Sequence, residues 1–241
     1  MVAPAQTPTK SAKTTNVDLV KLIRSHDYSG LEAALNYGAD PNGVPKKVPL
    51  SMAAILGDVK AVKILIAHKA DPNIQTKVGT PLCSAAWIDS PQIASILLDA
   101  GADPNGRKDE LCPPIVMTHS VAVLRVLLEA HVDIEATCND GQRLLHGACD
   151  AANEGIVALL LAHKAQIEPV DTTGSTPLMY LGDPAGWPEA ESARIRIAKR
   201  LIQEGANISA KNKRGLTAFD VAKEHGLTRL AIFLAQASRG L

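Results

Sequence analysis

The chain has 241 residues, 46% of them hydrophobic and 21% charged, which supplies enough apolar material for a packed interior and excludes global disorder. Lys plus Arg and Asp plus Glu are 25 each, so no net field draws the chain to nucleic acid or to an anionic membrane. Aromatic residues are only 3%, which suits thin layers of Ala, Leu, Ile and Val better than one bulky core.

Residues 1–15 are polar and aperiodic, carry Lys10 and Lys13, and lack the apolar run of a signal peptide. They read as a disordered leader. A first helix is expected over 17–24 with Asn16 as candidate N-cap, and a second over 31–36, running into Gly38-Ala39-Asp40-Pro41-Asn42. The next unit opens with Val48-Pro49-Leu50, breaks at Gly57 and resumes over 59–68, ending in Lys69-Ala70-Asp71-Pro72-Asn73. The third opens with Thr80-Pro81-Leu82, where a hydroxyl that can cap free N–H groups precedes a proline suited to the first helical position. It resumes over 91–100 and ends in Gly101-Ala102-Asp103-Pro104-Asn105. There Gly101 suits a left-handed C-cap and Pro104 forbids continuation.

The fourth unit, 111–131, is the poorest copy. Cys112-Pro113-Pro114 leaves room for only a short first helix over 114–118, before a clear second helix over 121–130. The array is therefore expected to be weakest near 111–120. The fifth opens with Arg143-Leu144-Leu145-His146 and resumes over 156–163. The sixth opens with Thr176-Pro177-Leu178, departs at Leu181, is interrupted by 182–188 and resumes in a long helical run over 189–204. The seventh runs from Leu216 through Gly226 to Ala235. Looser copies of the closing motif stand at His131–Glu135, Lys164–Glu168 and Gly205–Ser209. Its second residues, Ala39, Ala70, Ala102, Val132, Ala165 and Ala206, are spaced 31, 32, 30, 33 and 41 apart. A period near 33 signals a stack of supersecondary units, and the last spacing measures an insertion of about eight residues.

Thr-Pro-Leu-x-x-Ala-Ala, a helix break, an Ile/Leu-rich helix and Gly-Ala-Asp-x-Asn together resemble the ankyrin repeat, over residues 17 to about 238. The resemblance implies an all-α helical solenoid of about seven stacked helix-turn-helix units joined by short hairpin-like loops. It forms a single domain over 16–241, with caps at 16–42 and 207–241 and an insertion near 182–189. It also implies a non-catalytic module that binds another protein through its concave face and hairpin tips, as scaffold, tether or inhibitor. A monomer with no nucleic-acid or membrane partner and no cofactor or metal is expected.

On that basis the candidate partner-binding residues are tip charges and two tryptophans. The early tips carry Lys46, Lys47, Lys77, Arg107 and Lys108, the last carries Lys213 and Arg214, and a middle tip carries Asp140. A basic first half could steer an acidic segment, although solvated loops are commonly charged and such pairs contribute only about 0–1 kcal/mol each. Trp87 lies near the end of a first helix, where the family turns toward the concave face; packing on the neighbouring layer is the alternative. Ile55 is its equivalent one unit earlier, and Met117 or His119 one unit later. Trp187 lies in the insertion, to anchor a partner or fold back over the long helix.

Cys83, Cys112, Cys138 and Cys149 form no C-x-x-C pair and no disulfide framework, so they read as ordinary thiols in a reducing, cytoplasmic compartment. No stretch nears 18 consecutive apolar residues. His146 and Cys149 share a helix face, but with His131 and Cys138 they fit no zinc spacing. The resemblance implies that His146 hydrogen-bonds hairpin backbone. Nothing supplies the third group and oxyanion hole that a Cys–His nucleophile needs. An exported effector that binds a foreign protein is the alternative function, and a Cys/His metal protein or enzyme a more distant one.

Overall fold

The computed structural model describes residues 17–44, 47–106, 112–183 and 190–240. Among them are fourteen α-helices in seven pairs: α1 Leu19–Arg24 and α2 Tyr28–Asn36; α3 Pro49–Ile55 and α4 Val59–Ala67; α5 Pro81–Trp87 and α6 Pro91–Asp99. There follow α7 Pro114–Met117 and α8 Val121–Glu129, α9 Leu144–Asp150 and α10 Glu154–Ala162, α11 Pro177–Tyr180 and α12 Glu191–Gln203, and α13 Ala218–Glu224 and α14 Thr228–Ala237. The first helices pack on one another in chain order and the second helices do the same, giving two parallel layers of an all-α solenoid.

The period of the sequence is the period of the core. Leu65, Leu97, Leu127, Leu160 and Leu201, each five residues before its motif's second residue, are all buried between the layers. Burying one such side chain contributes about 2 kcal/mol. No unit closes its own core, so each layer's stability belongs partly to its neighbours.

Each closing motif turns the chain in the same way. Its first residue is left-handed whether or not it is glycine: φ is 93° at Gly38, 64° at Lys69, 91° at Gly101, 58° at His131, 60° at Lys164 and 103° at Gly205. The motif's last residue then reaches the next copy. Asn42, Asn73 and Asn105 accept the backbone N–H of Asp71, Asp103 and Asp133 at 2.7, 2.8 and 2.6 Å. Glu135 and Glu168 do the same for Gln166 and Asn207 at 2.7 and 3.1 Å. A side-chain ladder therefore joins the closing motifs of units one to six.

Second helices start where a short polar side chain stands twelve residues before the motif's second residue. Asp27, Asp58, Ser90, Ser120 and Asn153 each accept a backbone N–H from the first turn of the helix that follows. This corrects the expected start of α2 from Leu31 to Tyr28, because Asp27 accepts from Gly30 N at 2.8 Å. Likewise α10 begins at Glu154 rather than Ile156. Helix α1 begins at Leu19, since Asp18 caps it through Lys21 N; Asn16 lies outside the described residues.

The fourth unit is as short as expected: α7 has four residues. Its neighbours replace the missing turn. Asp89 accepts from Thr118 Oγ1 at 3.3 Å and from the His119 N–H at 3.0 Å, while Asn153 Nδ2 donates to His119 O at 3.0 Å. A disulfide joins Cys112 to Cys138 in the next tip. That corrects the reading of all four cysteines as thiols: stacking brings together two positions 26 apart that no spacing rule would pair. Cys83 and Cys149 are buried and outside any disulfide.

Candidate functional site

The first helices of units one to three and the tips between them enclose a concavity of about 750 Å³. Its floor holds Ser51 and Ser84, whose hydroxyls are buried without a hydrogen-bond partner among the described residues. Val20, Met52, Ile55 and Val78 supply apolar wall, and Lys21, Arg24, Lys47 and Lys77 line it with cations. The one acid among the described lining residues, Asp18, is held by Lys47 at 2.5 Å, and that ammonium keeps its carboxyl below the usual range. Lys21, Arg24 and Lys77 have no acidic partner among the described residues.

Apolar exposure is uneven along the stack. Of the nine large hydrophobic side chains exposed among the described residues, seven lie in 17–87: Val17, Tyr37, Val44, Ile55, Leu56, Val78 and Trp87. Val170 and Ile232 are the others.

The expected site residues divide. Lys47, Ile55 and Lys77 come together in the concavity. Trp87 does not line it; the residue ends α5 as Ile55 ends α3, one layer along, and is 56% exposed with its ring edge-on to His119 at 5.8 Å. Lys213 and Arg214 lie far along the stack and are engaged internally. Lys213 donates to Thr172 O at 2.7 Å, and Arg214 pairs with Glu224 at 3.2 Å. Asp140 is exposed, but its carboxylate accepts from Gln142 N at 3.0 Å within its own tip. Lys46, Arg107, Lys108 and Trp187 lie outside the described residues. Lys21 and Arg24 were not anticipated, because they stand on a helix rather than a tip. The only signal was that a terminal pair leaves one polar helix face without a neighbour.

His146 and Cys149 are bound into the fold. His146 Nδ1 accepts from Arg143 N at 3.1 Å, and Nε2 lies 3.2 and 3.3 Å from the carbonyls of Pro169 and Ser175. Its ring meets Tyr180 edge-on at 5.0 Å, and Tyr180 donates to Asp171 at 2.8 Å. Burial lowers the pKa of His146 and pushes the Cys149 thiol up, away from the reactive thiolate.

Arg194 is the largest fully buried side chain among the described residues. It stands twelve residues before Ala206, at the place of the N-cap residues in the earlier units, in the turn by which α12 exceeds a nine-residue second helix. Its guanidinium donates to Asp150 O at 2.7 Å and Leu181 O at 3.1 Å, closing the ends of two consecutive first helices.

The model of ankyrin repeats, in three copies, matches residues 10–108. A protein of Escherichia coli K12 named as an ankyrin repeat protein, YahD, is 29% identical over 77% of this chain and 94% of its own length. Mouse Notch homolog 1 is 30% identical over 67% of this chain but 6% of its own, and a mouse homolog of B-cell lymphoma 3 protein is 27% identical over 78% and 43%. The human ASB11 ankyrin repeat domain shares the fold at TM-score 0.78 and 22% identity, covering 92% of this chain and 97% of that one. The ankyrin repeat domain of Bcl-3 gives 0.63 at 28% identity, covering 79% and 86%. No helix among the described residues is long and apolar enough to cross a membrane.

Proposed function

Because this chain is an ankyrin repeat protein, a family whose repeats are protein-protein interaction modules, we propose that it is a non-catalytic module presenting the concave face of its first three units to another protein, as scaffold, tether or inhibitor. The observation that carries the reading is the concavity where unpaired cations and exposed apolar side chains meet. Such a combination of aliphatic wall, nearby tryptophan and charged rim is the usual anatomy of a hot spot. His146, which a Cys–His nucleophile would need, is instead hydrogen-bonded to the backbone of Arg143, Pro169 and Ser175, and Cys149 is buried.

The compartment no longer follows from the cysteines, since two of them are bonded. The reading holds in a reducing cytoplasm or an oxidising compartment alike, and the redox state of Cys112 in protein isolated from its own cells separates the two.

The test is capture from lysate of the source organism by wild type and by an Ile55→Ala/Lys77→Glu/Trp87→Ala variant, once circular dichroism shows the variant folded. A protein held by wild type and released by the variant supports the reading. A protein held equally by both moves the binding surface elsewhere on the stack.

A further inference from the structure

We infer that the occupant of the concavity is an acidic segment with apolar side chains, laid across units one to three. This rests on the concave face being the binding surface and adds the chemistry of what binds there. Lys21, Arg24 and Lys77 are exposed and lack acidic partners among the described residues, while Asp18 is neutralised by Lys47. Among the described residues the concavity thus holds a local excess of three positive charges, in a chain whose net charge is zero. The excess is a property of this place and not of the molecule. Cations gathered along a concave wall focus their field into it and favour an anion more than the same cations spread on a convex surface.

Charge alone would suit any polyanion, but the wall is not built for one. Ile55 and Val78, 41% and 63% exposed, stand among the cations, and the lining holds, among the described residues, no aromatic side chain on which a nucleic-acid base could stack. A partner that satisfies both features carries Asp or Glu beside aliphatic or aromatic residues. Residues 1–16, which precede α1 in the sequence, carry Lys10 and Lys13 and no acid, so they share the groove's sign and are unsuited to it.

The experiment is selection of random peptides of about twelve residues, ample to cross three layers in extended form, displayed on phage against the immobilised full chain. The best sequence is then synthesised with a fluorescent label and titrated against wild type, Lys21→Glu/Lys77→Glu and Ile55→Ser/Val78→Ser, each shown folded. Enriched peptides are expected to be net negative with apolar residues interspersed. Binding should weaken at least about ten-fold in each variant and tighten between about 150 and 50 mM salt. Enrichment of neutral or basic peptides, no enrichment, or equal binding to either variant overturns the inference. So does equal binding of a mixed-sequence DNA oligonucleotide, or self-association of the chain that blocks the groove. Where the lysate experiment retains a partner that the variant loses and the selected peptides are not acidic, the inference fails while the binding module stands.

Discussion

Arg194 Nη2 donates to the backbone carbonyl of Asp150 at 2.7 Å, across 44 positions of chain and with the arginine side chain wholly buried. With Leu181 O it ties the end of α9 to the end of the four-residue α11. Arg194→Ala leaves two carbonyls unanswered and a void, and is expected to cost about 3 kcal/mol or more in urea unfolding. Arg194→Lys recovers little, because one ammonium lacks the planar fork that spans both carbonyls. The comparison is Arg196→Ala, which removes an exposed pair with Glu154 and should change stability by less than about 1 kcal/mol.

The Cys112–Cys138 bond closes a loop of 26 positions, and loop-closure entropy gives it about 3 kcal/mol of stabilisation. Thiol titration of denatured, unreduced protein should find two of the four cysteines. Reduction, or Cys112→Ser/Cys138→Ser, should lower the melting temperature. Four titratable thiols would remove the bond.

Lys69 and Gly101 occupy equivalent left-handed positions at φ 64° and 91°. A methyl group on Gly101 would touch nothing within 4 Å, so Gly101→Ala isolates the backbone term and should destabilise by about 1 kcal/mol. Lys69→Gly should stabilise by about 0.5 kcal/mol, the smaller gain reflecting glycine's freer unfolded chain. Matched urea titrations give both signs.

His146 is buried, and burial lowers its pKa from 6.5 despite carbonyls that favour the charged ring. The unfolded chain therefore takes up this proton first as pH falls. Stability from this site is complete above about 6.5 and declines below it, until the folded-state pKa is passed, by at most about 1.4 kcal/mol per pH unit. His146→Gln should flatten the unfolding free energy between pH 6.5 and the folded value. An unchanged slope would place the titration elsewhere.

Residues 112–120 should exchange amide hydrogens faster than 156–163, since α7 is a single turn where α10 has nine residues. Asp89→Gly removes the carboxylate that Thr118 and His119 use and suits the left-handed φ of 55° at that position. It should widen the difference. Equal protection in wild type would show that the disulfide and the hydrogen bonds from Asp89 and Asn153 fully replace the lost helix.

The repeat was legible because its signals act over a few residues. Thr80 does cap Cys83 N, at 3.5 Å, and Gly101 does end its helix left-handed. A short local signal can still fail: Thr176, in the same Thr-Pro-Leu context, makes no cap bond and its hydroxyl is buried without a partner among the described residues. Legibility ended where the deciding contact crosses layers. Cys112 meets Cys138 only after stacking, and Arg194 looks in sequence like one more cation on a solvated helix. The site was half legible. Lys47, Ile55 and Lys77 were anticipated from the tips and the helix ends, whereas Lys21 and Arg24 needed the neighbouring helix to show which side of α1 stays open.

The ladder from Asn42 to Glu168 bears on how such a chain can change length. Each rung is made by a side chain of one layer and a backbone N–H of the next, and the acceptor is Asn in three rungs and Glu in two. The N–H half of the joint is supplied by any residue except proline. A whole layer cut out between two equivalent rungs would leave ends that already fit, so recombination between units can shorten or extend the stack without redesigning a joint. A cut within a layer leaves a rung reaching for a donor at the wrong height, and the two products would differ in stability from the first generation.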